Sequence, residues 1–302
     1  MGQGEEGRGK ATPRRGQEET QGPRALSPTH PNQRFALAIE TSNPSATNPV
    51  ESPGSTSPWP LGPGVALGEI LPGEAGEIRP IRSELLKAGA RHDDDLMPAI
   101  DRLCGAEGVS PRDLGMIGVS AGPGGYTGLR VALTVAKCIA EATGAKLRLV
   151  PSALSAAAGL EPAGPTLVCL ASKRETVHAT MVGVTDEWLA DHAAALAPLV
   201  GKARPAGDPV RPWPGRWLEI GLIGADVAAA LGVTKIVGDQ HLPVSFREAA
   251  AGVGAEVVFP SFGPEGVLRL MGWFGDADPA AAAPIYPREP EAVTRWRELG
   301  RG

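Results

Sequence analysis

The chain has 302 residues, 42% of them hydrophobic and 21% charged, enough to bury one large core or two smaller ones. A formal net charge of -5 and a pI near 5.6 exclude the broad basic field with which a dedicated nucleic-acid binder gathers phosphates. Cys104, Cys138 and Cys169 form no CxxC pair and no run reaches bilayer-spanning length, so the expectation is a cytoplasmic protein with buried free thiols, no zinc site and no disulfide frame.

Residues 1–33 mix both charges with Gly, Pro and Gln, a composition that predicts a disordered tail. Phe35 to Ile39 reads as a strand ending in Glu40, Thr41 and Ser42, residue types that either touch nucleotide phosphates or cap a hairpin. Prolines at 44, 49, 53, 58, 60 and 63 then forbid helix and ladder alike, so 43–63 is expected as an extended insertion before a strand resumes at Gly64. A third strand around Glu77 to Arg82 completes a meander. HDDDLMPAIDRLCGAEG predicts a helix with an acidic start and with Leu96, Met97, Ile100, Leu103 and Cys104 on one face. The His92 to Asp95 run lacks a second histidine at i+4, so a solvated helix start is the better reading than a metal site.

GMIGVSAG follows as a buried strand, and TGLRVALTVAKCIAEATG as a helix opened by Thr127 and closed by Gly144. Its apolar residues, Cys138 among them, cover more than one face, which predicts burial between a sheet and another helix or subunit. From Leu147 onward strand-like runs alternate with Ala-rich helical stretches, an α/β pattern with a fresh start near Pro151. The expected organisation is a tail (1–33), a first lobe (34–150) and a second lobe (151–302), with a surface loop from Ala203 to Arg216.

The turn between that strand and helix, SAGPGGYTGLR, carries the main functional question. A P-loop needs Lys after its second glycine, and the dinucleotide fingerprint needs a third glycine where Thr127 stands; both fail. Gly118-Val119-Ser120-Ala121-Gly122 fits the GxSxG nucleophile elbow, and Asp239 and His241 follow in chain order, yet Pro123, Gly124 and Gly125 postpone the helix that should begin directly after the serine. The remaining reading is a tight turn with Thr127 as cap, whose amides face an anion or a partner's backbone. Arg288, Arg295 and Arg297 around Trp296 are candidates for RNA or an acidic partner.

LAIETS, the His92 segment ending in LMPAID, SAGPGGYTGLRVALTVAKCIAEATG and PIYPREPEAVTRW together resemble the TsaB (YeaZ) family, with GPGxxTGxR before an apolar helix as the specific part. The resemblance covers 34 to about 160 and returns at Pro284 to Arg288. It implies a two-lobed α/β fold of the actin, Hsp70 and sugar-kinase (ASKHA) type. It also implies a non-catalytic scaffold subunit for threonylcarbamoyladenosine, the modified adenosine beside the anticodon of tRNAs reading ANN codons. Implied partners are a TsaD-like catalytic subunit, a TsaE-like ATPase, a second copy of the chain, and tRNA through the complex, with no cofactor, metal or membrane. Carried over by position, Gly122, Pro123, Gly124, Thr127, Gly128 and Arg130 are motif residues, and Leu129, Leu133 and Ala136 with Leu96, Ile100 and Leu103 are partner-binding candidates. TsaD binds metal through a His pair, whereas His92 is alone in the comparable helix, which speaks against carbamoyl transfer by this chain. The chain departs from the family at its tail, its Pro-rich insertion, Gly125 and Tyr126, and Leu170-Ala171-Ser172-Lys173 in place of an Ile-Asp-Ala-Arg segment. Two enzyme alternatives stay open: a serine hydrolase using Ser120 and a degenerate ATPase of this fold using Glu40.

Overall fold

Strand β1 (Phe35–Glu40) sends Leu37 and Ile39 to one face and Ala36 and Ala38 to the other, all of them buried. That alternation of large and small side chains decides what each face of the first sheet can carry. The computed structural model describes residues 33–43, 61–72, 77–87, 92–160, 164–172, 175–200, 216–287 and 291–300. The tail to residue 32, positions 44–60 of the insertion, the 201–215 stretch and Arg288 lie outside the described residues.

β2 (Gly64–Ile70) and β3 (Ile78–Leu85) follow β1 as an antiparallel meander; β3 runs three residues further than the sequence pattern suggests. Helix α1 (His92–Ala106), β4 (Leu114–Gly122), α2 (Tyr126–Thr143) and β5 (Lys146–Pro151) complete the first unit, with β1, β4 and β5 parallel in the order β3-β2-β1-β4-β5. α1 and α2 cover the face that carries Leu37 and Ile39.

The chain then enters α3 (Ser152–Ala157), β6 (Thr166–Ala171), β7 (Val177–Val184), α4 (Asp186–Asp191), α5 (Ala193–Val200), β8 (Arg216–Ile223), α6 (Ala225–Ala230), β9 (Lys235–Val237), α7 (Val244–Val253) and β10 (Glu256–Val258). The second sheet has the order β10-β9-β6-β7-β8, with β6, β7 and β8 antiparallel and β6, β9 and β10 parallel. From the centre outward, this is the first sheet's plan a second time. It fits the two-lobed ASKHA expectation.

The last stretch does not remain with the second sheet. Helix α8 (Pro264–Met271) packs on β1 to β5, against the face made shallow by Ala36, Ala38 and Ala66. With α3 it forms the core between the lobes, where Leu154, Val267, Leu268 and Met271 meet Val168 and Val237 of the second sheet. Beyond α8 the backbone runs back along β5: the Ala277 amide donates to the Leu147 carbonyl at 2.9 Å, and Asp276 pairs with buried Arg148 at 2.8 Å. A final helix α9 (Glu291–Glu298) carries Arg295, Trp296 and Arg297, all exposed.

Two further expectations are corrected. Met97 points outward from α1 at 51% exposure, since it stands one 100° step round from Leu96, while Leu96, Ile100, Leu103 and Cys104 are buried. Cys138 is exposed, so only Cys104 and Cys169 are buried thiols. Among the described residues, no helix is long and apolar enough to cross a membrane.

Candidate functional site

β4 delivers the chain to Gly122, whose φ of +106° suits glycine. A side chain there would also stand 2.7 Å from the Ile285 carbonyl oxygen. After a cis Gly122–Pro123 peptide, α2 begins at Tyr126, with Gly125 as its N-cap and no side-chain cap. Thr127 is therefore an exposed first-turn residue, and its expected capping role is not observed. What holds the turn comes from elsewhere in the chain, two backbone bonds and one from a hydroxyl. The Gly125 amide donates to the Ser42 carbonyl at 2.7 Å, the Thr41 hydroxyl donates to the Gly128 carbonyl at 2.9 Å, and the Ile285 amide donates to the Ala121 carbonyl at 2.7 Å. Gly124 and Gly128 admit this approach because a Cβ on either would run into the backbone of Ser42 or Thr41. Thr41 and Ser42 thus seat a helix, and the expected hairpin cap is not what they form.

Beneath the turn lies a buried polar cluster. Glu40, 1% exposed, accepts the Ser42 amide at Oε1 (2.6 Å) and the Ser155 hydroxyl at Oε2 (3.0 Å). Burial pushes its carboxyl above the usual 4.5, with hydrogen bonds from Ser42, Ser155 and Ser120 opposing the shift. Ser120 Oγ lies 2.7 Å from Ser152 Oγ, which also accepts the Gly122 amide at 3.0 Å. The chemistry this permits is limited. Ser120 is buried against another serine, and Asp239, the triad partner of the alternative hydrolase reading, accepts from Asn43 Nδ2 and from the His241 amide, both at 2.9 Å. The nucleophile elbow is not assembled. Among the described residues, no group of three or more His, Cys, Asp or Glu side chains is placed to hold a metal ion.

The carried-over positions divide by burial. Leu96, Ile100, Leu103, Gly122, Pro123, Gly128, Leu129, Leu133 and Ala136 are buried within this chain, and they shape α1, α2 and the turn from inside. Gly124, Thr127 and Arg130 are exposed. The outer face of α2 carries Thr127, Val131, Thr134, Cys138 and Glu141, with Val131 and Val135 half-buried against the core. At its N-terminal end, the Arg130 guanidinium lies 4.4 Å over the Tyr126 ring, which stacks on Tyr286 with centroids 5.5 Å apart. Sequence reading missed this stack, because Tyr286 and Tyr126 are brought together only by the return of the chain after α8. It also missed Met97 as a surface residue. α1 is anchored by Arg102, which reaches Asp95 at 3.1 Å and Glu84 of β3 at 2.5 Å, and this guanidinium holds the Asp95 carboxyl below its usual 3.8.

Residues 86–206 match the family model for TsaD, described as tRNA N6-adenosine threonylcarbamoyltransferase. No curated protein matches the chain's sequence. Among solved structures, the chain is similar to an uncharacterized protein with similarity to peptidase YeaZ from Pseudomonas aeruginosa. The two are 16% identical over 84% of this chain and 100% of that one, with a TM-score of 0.51. YeaZ from Pseudomonas aeruginosa matches at 16% identity over 84% of this chain and 99% of that chain, with a TM-score of 0.46. The chain thus has a two-lobed, YeaZ-like fold and a segment similar to the TsaD family, and the resemblance to the TsaB (YeaZ) family read from its sequence stands.

Proposed function

We propose that this chain is a TsaB-type accessory subunit in the synthesis of threonylcarbamoyladenosine on tRNA. In this reading it binds and activates a TsaD-like catalytic subunit through the outer face of α1 and α2, and a TsaE-like ATPase and tRNA join through the complex. The observation that carries the reading is the combination of an exposed, partly apolar α2 face with candidate catalytic residues, Ser120 and Glu40, that are buried and hydrogen-bonded within the chain. Met97, half-buried Val131 and Val135, and the Arg130–Tyr126–Tyr286 stack supply the flexible, aliphatic and aromatic contacts from which binding hot spots are made. The TsaD family match raises the alternative of an enzyme. Against it, Leu96 stands four residues after His92, where a second metal-binding histidine would face the same side of the helix.

The test is association of the purified full chain with the TsaD-like protein of the same organism, followed by light scattering on a sizing column. The expected result is a complex with wild type that Thr134→Glu abolishes while the variant keeps its fold. Equal association of the variant would remove α2 as the docking face. A chain that forms only pairs with itself would make self-association its role.

A further inference from the structure

We propose that Glu40 is a positioning residue for α2: its buried carboxyl ties α3, between the two sheets, to the Thr41–Ser42 segment on which the first turn of α2 is seated. The importance of that position for partner binding rests on the docking role proposed above. The connection itself is read from the structure alone.

A carboxyl group in an enclosed site is an expensive choice when no cation neutralises it. Among the described residues, Glu40 has serine and backbone partners only. An aliphatic residue would fill the space at lower cost, but it could not accept hydrogen bonds in two directions. Glu40 does so, one oxygen taking the Ser42 amide and the other the Ser155 hydroxyl, 115 residues away in α3. The Ser42 amide shares its peptide plane with the Thr41 carbonyl that lies against Gly128, and the residues on either side of that plane hold the turn, the Ser42 carbonyl receiving Gly125 and the Thr41 hydroxyl donating to Gly128. A second tie runs beside the first. Ser152 of α3 meets Ser120 and the Gly122 amide at the end of β4. Ser152 and Ser155, three residues apart on one helix, thus address both strand ends between which the glycine turn is suspended. α3 lies in the core shared by both lobes, so a change in its seating would reach the α2 turn through these two serines.

The experiment compares amide exchange by NMR in the full chain and its Glu40→Gln, Glu40→Ala and Ser155→Ala variants, reading Gly122, Gly125 and Leu129 against Val168 and Val237 of the second sheet. Loss of the carboxyl is expected to speed exchange at Gly125 and Leu129 by roughly three- to tenfold, the range of one hydrogen bond, with the reference amides unchanged. Gln retains an acceptor toward Ser42 and should restore most of the protection, and Ser155→Ala should affect the same amides more weakly. Exchange that rises uniformly, or that leaves Gly125 and Leu129 unmoved, would overturn the proposal. Should Glu40→Ala fail to fold, Ser155→Ala carries the test. Association of each variant with the TsaD-like protein is measured in parallel. A wild type that does not associate refutes the docking role, while the exchange pattern still decides what Glu40 positions.

Discussion

Replacing Gly128 by alanine sets two effects of opposite sign against each other. Alanine is the better helix former by about 1 kcal/mol, so a free position in the first turn of α2 would gain stability. Here the added Cβ would lie 2.5 Å from the Thr41 carbonyl oxygen, and both groups are backbone-bound, so neither can swing aside as a long side chain would. Forcing such a contact open costs about 1–3 kcal/mol. The same displacement pulls on the Thr41–Gly128 and Gly125–Ser42 hydrogen bonds, each worth about 1 kcal/mol. The net expectation is a loss of roughly 2–4 kcal/mol. Gly105, exposed near the end of α1 with nothing within 4 Å of where an added Cβ would stand, provides the control: Gly105→Ala should be neutral or stabilising by up to about 1 kcal/mol. Urea denaturation followed by circular dichroism measures both. A Gly128→Ala protein as stable as wild type would show that the glycine is not held by close approach, and the account of the turn would fail.

Other consequences follow from burial and charge. The Glu40 carboxyl is raised above its usual 4.5 in the folded chain, so its contribution to stability is full below that pH and is lost as the pH climbs toward the folded value. Glu40→Gln should remove that part of the stability–pH slope, and identical slopes in thermal melts from pH 4 to 8 would contradict it. Thr134→Glu on the exposed face of α2 should alter stability by no more than about 0.5 kcal/mol. Leu133→Glu, by contrast, buries a charge in the core and should unfold the chain, so it cannot serve as an interface probe; parallel urea curves check both. Cys138 should react with a thiol reagent in the native protein, whereas Cys104 and Cys169, both buried and with thiols pushed up by desolvation, should react only on unfolding. Three equivalents titrated rapidly from native protein would disprove that arrangement.

Much of the first lobe can be read from the sequence because its signals are local. The apolar run Phe35 to Ile39, the Gly64 strand and the helix ending at Gly144 each carry their pattern within a dozen or so residues. The glycine turn was legible as a turn but not as a socket. Nothing near Gly128 says that Thr41 will lie against it, and the preference of Thr for a helix cap is overridden once Ser42 supplies the carbonyl for Gly125. Glu40 shows the same limit, since its partner Ser155 is remote in sequence and hairpin chemistry was the only local rule available. The repeated sheet plan is invisible in the chain because strand order is fixed by long-range pairing, and the two halves share no residue pattern that reveals it. The return of α8 to the first sheet is likewise a tertiary event: its apolar residues find Ala36, Ala38 and Ala66, which lie about 200 residues earlier in the chain.

The proposed role, activation of modification by docking, is decided by reconstituting threonylcarbamoyladenosine synthesis on tRNA from the TsaD-like and TsaE-like proteins of the same organism. The nucleoside is then quantified with wild-type chain, with Thr134→Glu, and with neither. The expected result is modification with wild type and near-background levels in the other two reactions. Equal modification in the absence of the chain would contradict it.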